Sequence, residues 1–385
     1  MASKMLFSPR DPTHSYEIEM QNGLLNASGR GLYSSINELN FLKLKFAIIA
    51  DETVAKLYGN RLLHFLASHD LHGSLFSFPS GEIHKTRETK ERLENQLFEQ
   101  GYGKDSCVIG FGGGITTDIA GYLAATYCRG TPLILIPTSL LGMVDASIGG
   151  KTGVNVPWGK NLVGALYQPA KVLIDPDWLL TLPIRELKNG IVEVIKHALI
   201  ADASFFTYLE SHSSQLLTLE PDCLYHTIFE SCRIKTAIVE QDVEDKGKRR
   251  LLNFGHTVGH ALETASHYSL SHGEAVAVGM LIESRMALQM GYLSPLSFDR
   301  ICSLLLRYGI PLDLPPSISL ETILEIMSWD KKSLHNQPRF VLLREIGYPI
   351  ARESTYCFPA AETIIKDAFA WISCSMSAAI RSGII

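Results

Sequence analysis

The chain has 385 residues, 46% hydrophobic and 19% charged, with 30 Gly and 17 Pro. That is enough for two ordinary domains with separate cores, and the apolar content excludes bulk disorder. Thirty-five Lys and Arg stand against 40 Asp and Glu, a formal net charge of −5, so no overall positive field exists to hold nucleic acid or an anionic membrane, and any bound anion must be held by a local cluster. Seven scattered cysteines include no C-x-x-C pair, which argues against structural zinc or a redox dithiol and for a cytoplasmic location. The apolar stretch before Pro9 is too short for a signal-peptide core, and no apolar run predicts a membrane span.

In chain order, residues 44–50, 107–111, 133–136 and 172–174 are short apolar runs ended by Asp, Gly or Pro, as buried strands of a parallel sheet are. Helical patterns over 86–101 and 115–127 alternate with them, which predicts an α/β, Rossmann-like nucleotide-binding first half. After Pro183 the strand signals fade, and 185–200, 222–241, 256–268, 273–291, 296–308 and 320–328 carry helical apolar spacing. The expected organisation is an α/β domain over 1–180 and a mostly α-helical, metal-binding domain over 181–385, with residues 359–385 forming either a packed terminal helix or a partner-binding one.

Gly112-Gly113-Gly114 follows a predicted strand and opens a helix containing Thr116, Thr117 and Asp118. Side-chain-free residues there let backbone approach a diphosphate, and the helix N-terminus supplies N–H groups; a tight strand-to-helix turn is the plainer reading. Asp51, at the end of an earlier strand, suits either a ribose hydroxyl or a helix N-cap. Within residues 137–164, Gly149, Gly150, Gly153, Gly159 and Gly164 gather around Lys151 and Lys160, either an anion cradle or a flexible surface loop. His256 and His260 lie four apart on one helical face, with His272 after a turn and Glu193 on another helix. Two histidines and a carboxylate make an open, catalytic type of metal site, although spacing alone leaves the histidine pair undecided. Arg129, Lys151, Lys160, Lys196, Lys235, Arg249 and Lys331, with Asn161 and Asn253, suggest a substrate with more than one negative group.

The ordered series GEIHK, GGGITTDIAGY, RGTPLILIPTSLL, VDASIGGKTGVN, GKNLVGA, RELKNGIVEVIKH, LLNFGHTVGHALE, HGEAVAVGM and DKK resembles the 3-dehydroquinate synthase family from about Asp51 to Lys332. The resemblance implies one divalent metal, zinc or cobalt, on Glu193, His256 and His272, with His260 left in the site either to support a ligand or to transfer a proton. It implies NAD contacts from Asp51, Glu82, Lys85, Gly113, Gly114, Asp118, Thr138, Ser139, Asp145, Lys151, Lys160 and Thr181. Substrate contacts fall to Arg129, Lys151, Lys160, Asn161, Lys235, Arg249, Asn253 and one of Lys331 and Lys332, with Arg129 reaching a neighbouring subunit of a homodimer. Asp145, Lys151, Lys196, Lys235, Asn253 and His260 are the implied catalytic set. The implied reaction converts the sugar acid phosphate DAHP to 3-dehydroquinate and phosphate. Ser139, Gly142-Met143 and Ala146 depart from the usual pattern. Arg249 and Lys235 suit a substrate carboxylate and argue against other sugar phosphate cyclases, and the phosphate-side lysines argue against a polyol dehydrogenase of the glycerol dehydrogenase type.

Overall fold

A computed structural model describes residues 2–9, 15–26, 31–314, 318–329 and 337–381. The chain divides into two compact units, Met1–Glu186 and Leu187–Ile385.

The first unit is built on a seven-stranded sheet. Its strands are β1 (Ala2–Phe7), β2 (Tyr16–Gln21), β3 (Lys45–Asp51), β4 (Gly73–Phe78), β5 (Ser106–Gly112), β6 (Leu133–Pro137) and, after a separate hairpin of β7 (Lys151–Val156) and β8 (Gly159–Leu166), β9 (Lys171–Ile174), in the order β1-β2-β9-β6-β5-β3-β4. All pairs are parallel except the β1–β2 edge. The uninterrupted apolar runs of β5, β6 and β9 are buried throughout, as strands covered by helices on both faces must be. On the edge strand β1 exposure alternates, which reads weakly in sequence. From β3 the chain steps to β4 on one side and returns to β5 on the other, so the β3/β5 crevice is the point where strand order reverses. Asp51 and the glycine triplet end those two strands.

The glycine-rich segment 137–164 is ordered: a helical turn over Gly142–Ala146 leads into the β7–β8 hairpin. A Cβ on Gly164 would lie 2.7 Å from Gly153 Cα, so these glycines let two backbones cross closely.

The second unit is helical: Ile184–Ala201, Ala203–Ser211, Ser213–Leu217, Pro221–Val239, His256–Ala265, His272–Gln289, Pro295–Arg307, Leu320–Trp329 and Glu362–Arg381, with two-stranded pairs formed from residues 339–359. His272–Gln289 is buried along most of its length and starts from a Ser271–Glu274 capping box. A Cβ on Gly273 would lie 2.6 Å from Asn189 Cα, and one on Gly279 would lie 2.8 Å from the Gly255 carbonyl carbon. Glycine at both positions therefore lets this helix touch the backbones that carry Glu193 and His256. The terminal helix packs on it through Ile365, Phe369 and Ile372. Among the described residues no helix is long and apolar enough to cross a membrane.

Candidate active site

In the first unit, helix Gly114–Thr126 begins from Gly113 with no side-chain cap, leaving first-turn N–H groups for a ligand at the switch point. Asp51 caps the next helical turn, accepting from the N–H groups of Thr53 at 3.0 Å and Val54 at 3.2 Å. Its other oxygen accepts from Thr116 Oγ1 at 3.4 Å. The N-cap reading of Asp51 is thus realised, and it also ties β3 to the glycine-led helix. Thr138 and Ser139 are buried beside the cradle. Ser139 Oγ accepts from Gly142 N–H at 3.1 Å, and a Cβ on Gly142 would come within 3.2 Å of that oxygen, so two of the family departures touch one another.

Lys85, 4% exposed, pairs with Asp118 and donates to Asn161 Oδ1 at 2.6 Å. Glu82 Oε1 lies 3.6 Å from Lys160 Nζ and accepts from Asn155 Nδ2 at 2.7 Å. The Asn155 N–H reaches Lys85 O at 2.8 Å, and its Oδ1 accepts from Asn161 N–H at 3.0 Å. Expected cofactor residues and the expected substrate residue Asn161 therefore form one network. Asn155, absent from the expected site residues, is its clasp; only a fold that closes the hairpin over Glu82–Lys85 reveals it. Thr181 Oγ1 hydrogen-bonds Tyr58 OH. Asp145 lies in the Gly142–Ala146 turn, Lys151 is exposed at the start of β7, and Arg129 is exposed at φ 68° after Cys128 at φ 50°.

In the second unit three elements converge. Glu193 is fully buried, and its Oε1 lies 3.7 Å from His256 Nε2 and 3.5 Å from His272 Nε2. A tetrahedral ion with bonds of about 2.0–2.2 Å separates its donors by about 3.4 Å, so the set fits a zinc-type metal. His256 Nδ1 faces Phe254 O at 3.1 Å, and if it carries the proton, Nε2 is left bare for the ion. Gly255, at φ 77°, donates to the buried Glu283 at 3.0 Å. Burial lowers the pKa of His272, but Glu263 and Glu193 outweigh that effect and raise it to about 10. A proton thus occupies in part the electrostatic role of a cation.

Lys196 pairs with the other oxygen of Glu193. The His260 ring lies 5.2 Å from that of His256 and 6.1 Å from that of His272. Lys235 and Arg249 are buried, and Arg249 Nη1 donates to Val243 O at 2.7 Å. The helix bearing Lys235 is tied to that of Glu193 by a 2.7 Å His197–Ser231 hydrogen bond and packs on the Lys248–Asn253 turn, which ends in Asn253. Lys331 and Lys332 lie outside the described residues.

An uncapped glycine-led helix at a sheet switch point, and an open set of two histidines and one carboxylate, define a nucleotide- and metal-using enzyme. Residues 75–189 match the family model described as 3-dehydroquinate synthase N-terminal, and 190–333 the one described as 3-dehydroquinate synthase C-terminal. The 3-dehydroquinate synthase of Desulforamulus reducens is 43% identical over 86% of this chain and 92% of its own length. That of Neisseria meningitidis serogroup C is 41% identical over 89% and 94%. The structure resembles a 2-epi-5-epi-valiolone synthase from Streptomyces hygroscopicus subsp. jinggangensis with NAD+ and Zn2+ bound (TM-score 0.84, 30% identity, 93% and 96% covered). It also resembles a 2-deoxy-scyllo-inosose synthase complexed with carbaglucose-6-phosphate, NAD+ and Co2+ (TM-score 0.85, 25% identity, 97% and 99% covered). A glycerol dehydrogenase from Schizosaccharomyces pombe, 18% identical with TM-score 0.59 over 91% of this chain and 89% of its own, shares the fold alone. The chain belongs to the 3-dehydroquinate synthase family.

Proposed function

We propose that this chain is the lyase that converts DAHP to 3-dehydroquinate and phosphate, the second step of the shikimate pathway, using NAD and one divalent metal. The observation that carries the reading is the Glu193–His256–His272 donor set, with 3.5 and 3.7 Å between carboxylate and imidazoles, in a chain 41–43% identical to named synthases over most of its length.

When bound, NAD supplies a transient hydride acceptor and the metal supplies electrostatic stabilisation of negative charge. Glu193, His256 and His272 would hold zinc or cobalt. Gly113, Gly114 and the helix they open would hold the diphosphate, with Asp51, Thr138, Ser139 and Thr181 around the rest of the nucleotide. Glu82, Lys85, Asp118, Asp145, Lys151 and Lys160 complete the cofactor set, and the Asn155 clasp keeps its Glu82 and Lys160 side in register with Asn161. Lys151, Asn161 and Asn253 orient the phosphate for β-elimination, and Arg249 with Lys235 receives the carboxylate. His260 moves a proton beside the metal set, and the buried Lys196 pairs with Glu193. The substrate's own phosphate acts as base, and the ring then opens and closes by an aldol step with no net redox change.

The family resemblance supports a homodimer in which Arg129, exposed in this chain, reaches the neighbouring subunit's site. The six free cysteines among the described residues support a cytoplasmic location.

The test is phosphate release from DAHP with zinc and sub-stoichiometric NAD, while absorbance follows NADH. Many turnovers per NAD without accumulated NADH are expected. NADH formed from a polyol, with no phosphate released, would reassign the chain to dehydrogenase chemistry, and turnover of another sugar phosphate in place of DAHP would reassign it to a different cyclase.

A further inference from the structure

We infer that Glu263 is a positioning residue for the metal centre: its carboxylate accepts the Nδ1 proton of His272 and so orients the ring with Nε2 toward Glu193, as the nitrogen left to the ion once its own proton is released. The inference rests on the ligand set proposed above and adds to it the group that orients one ligand.

His272 is the ligand most in need of such a partner. It is the first residue of its helix, after the Ser271 cap, and its side chain is 27% exposed, so its own backbone does little to fix the ring. His256 differs, because its Nδ1 faces the nearby Phe254 carbonyl at 3.1 Å and its side chain is only 10% exposed. For His272 the Nδ1 partner comes from another helix: Glu263 Oε2 lies 3.4 Å away, and the Glu263 side chain is 2% exposed. On the opposite edge of the ring, Nε2 lies 3.5 Å from Glu193 Oε1. The imidazole is therefore gripped at both nitrogens by buried carboxylates from two helices. Glu193 also faces His256.

The helical repeat explains how Glu263 comes to be there. His256, His260 and Glu263 are spaced four and three residues apart on helix His256–Ala265 and form one stripe. A single helix face thus delivers a metal ligand, a proton-transfer histidine and the carboxylate that orients the second histidine ligand. A carboxylate behind an imidazole fixes its rotation and raises the basicity of the ligating nitrogen, and removing such partners typically costs about 10–100-fold in metal affinity or activity.

The test is zinc binding to the purified full chain, by competition with a chelator of known affinity, together with the visible absorption band of the Co2+-substituted protein. Glu263→Ala is expected to weaken zinc binding by about 10–100-fold and to shift the cobalt band. Glu263→Gln keeps an acceptor oxygen and is expected to lose less. Zinc affinity within about twofold of wild type in a folded Glu263→Ala, with the cobalt band unmoved, would overturn the inference. If Glu263→Ala does not fold, Glu263→Gln decides: lowered affinity with a shifted band supports the role, and wild-type values for both overturn it. Because zinc is titrated without DAHP, a wild-type chain that binds zinc yet releases no phosphate would refute the proposed reaction and not this inference.

Discussion

Gly112 is the residue at which a single added methyl should test the nucleotide cradle most cleanly. In Gly112→Ala the new Cβ would stand 2.7 Å from Thr116 Cβ and 2.9 Å from Thr116 Cγ2, closer than real Cβ contacts come. Thr116 is 1% exposed, and its branched Cβ holds χ1 stiffly, so the side chain cannot swing clear. Relief must come from moving the first turn of helix Gly114–Thr126, which also loosens the Thr116–Asp51 hydrogen bond of 3.4 Å. Overpacking of this kind costs about 1–3 kcal/mol, or a fall in Tm of roughly 2–12 °C for a unit of this size. If as little as about 1.4 kcal/mol falls on the bound state, NAD affinity drops tenfold. Thermal melts with and without NAD, and calorimetric titration with NAD, read the two effects. Gly103→Ala is the control, since its Cβ would meet only Asp105 Oδ1, at 3.3 Å. A Gly112→Ala protein that melts and binds NAD like the control would refute the cradle argument.

His256→Ala should abolish zinc binding and turnover while circular dichroism stays native; a variant that keeps both would remove His256 from the ligand set. Glu193→Ala should do the same and also destabilise the fold by about 3–5 kcal/mol, because the Lys196 it pairs with is buried; a melt that matches His256→Ala would contradict that cost. Lys151→Ala should weaken the phosphate end of DAHP binding by about 1.5–3 kcal/mol, read in kcat/KM, and unchanged kinetics would take Lys151 out of the site. In the metal-free chain His272 titrates at about 10, above its unfolded value. Its stabilising contribution should therefore be complete below about pH 6.5 and be lost as pH rises through about 10. Zinc binding at pH 8 should release protons, measured calorimetrically in buffers of different ionisation enthalpy; metal-free stability that rises over that pH range would contradict the assignment.

The strands that sequence displayed best were those buried on both faces. Residues 107–111 and 133–136 are continuous apolar runs, and they lie in β5 and β6 at the sheet centre. β1 and β4 escaped notice because an edge strand needs only one apolar face, and β2, one strand in, because YEIEMQ carries two glutamates in six residues. The hairpin of β7 and β8 was hidden by its glycines, which suggest mobility in a sequence and serve close backbone crossing in the structure. The longer helices of the second unit were legible because 3.6-residue apolar spacing is a local property, and the six expected between 185 and 328 end within a few residues of expectation, whereas the shorter Ala203–Ser211 and Ser213–Leu217 were not read.

Fold class, helix order, family and the residue types available for metal and nucleotide could all be read from the chain alone, since motifs and periodicities are written in neighbouring positions. Which side chains meet depended on the packed structure. Glu193 is 63 residues from His256 and 79 from His272; spacing along the chain left the histidine pair open and the family resemblance named it, while the distances of Glu193 Oε1 from both Nε2 atoms belong to helix packing. The partners Asn155, Glu263 and Glu283 belong to the same class. Each acts through hydrogen bonds to groups on another segment, and the direction of such a bond exists only once the backbones that carry both ends have been fixed in space.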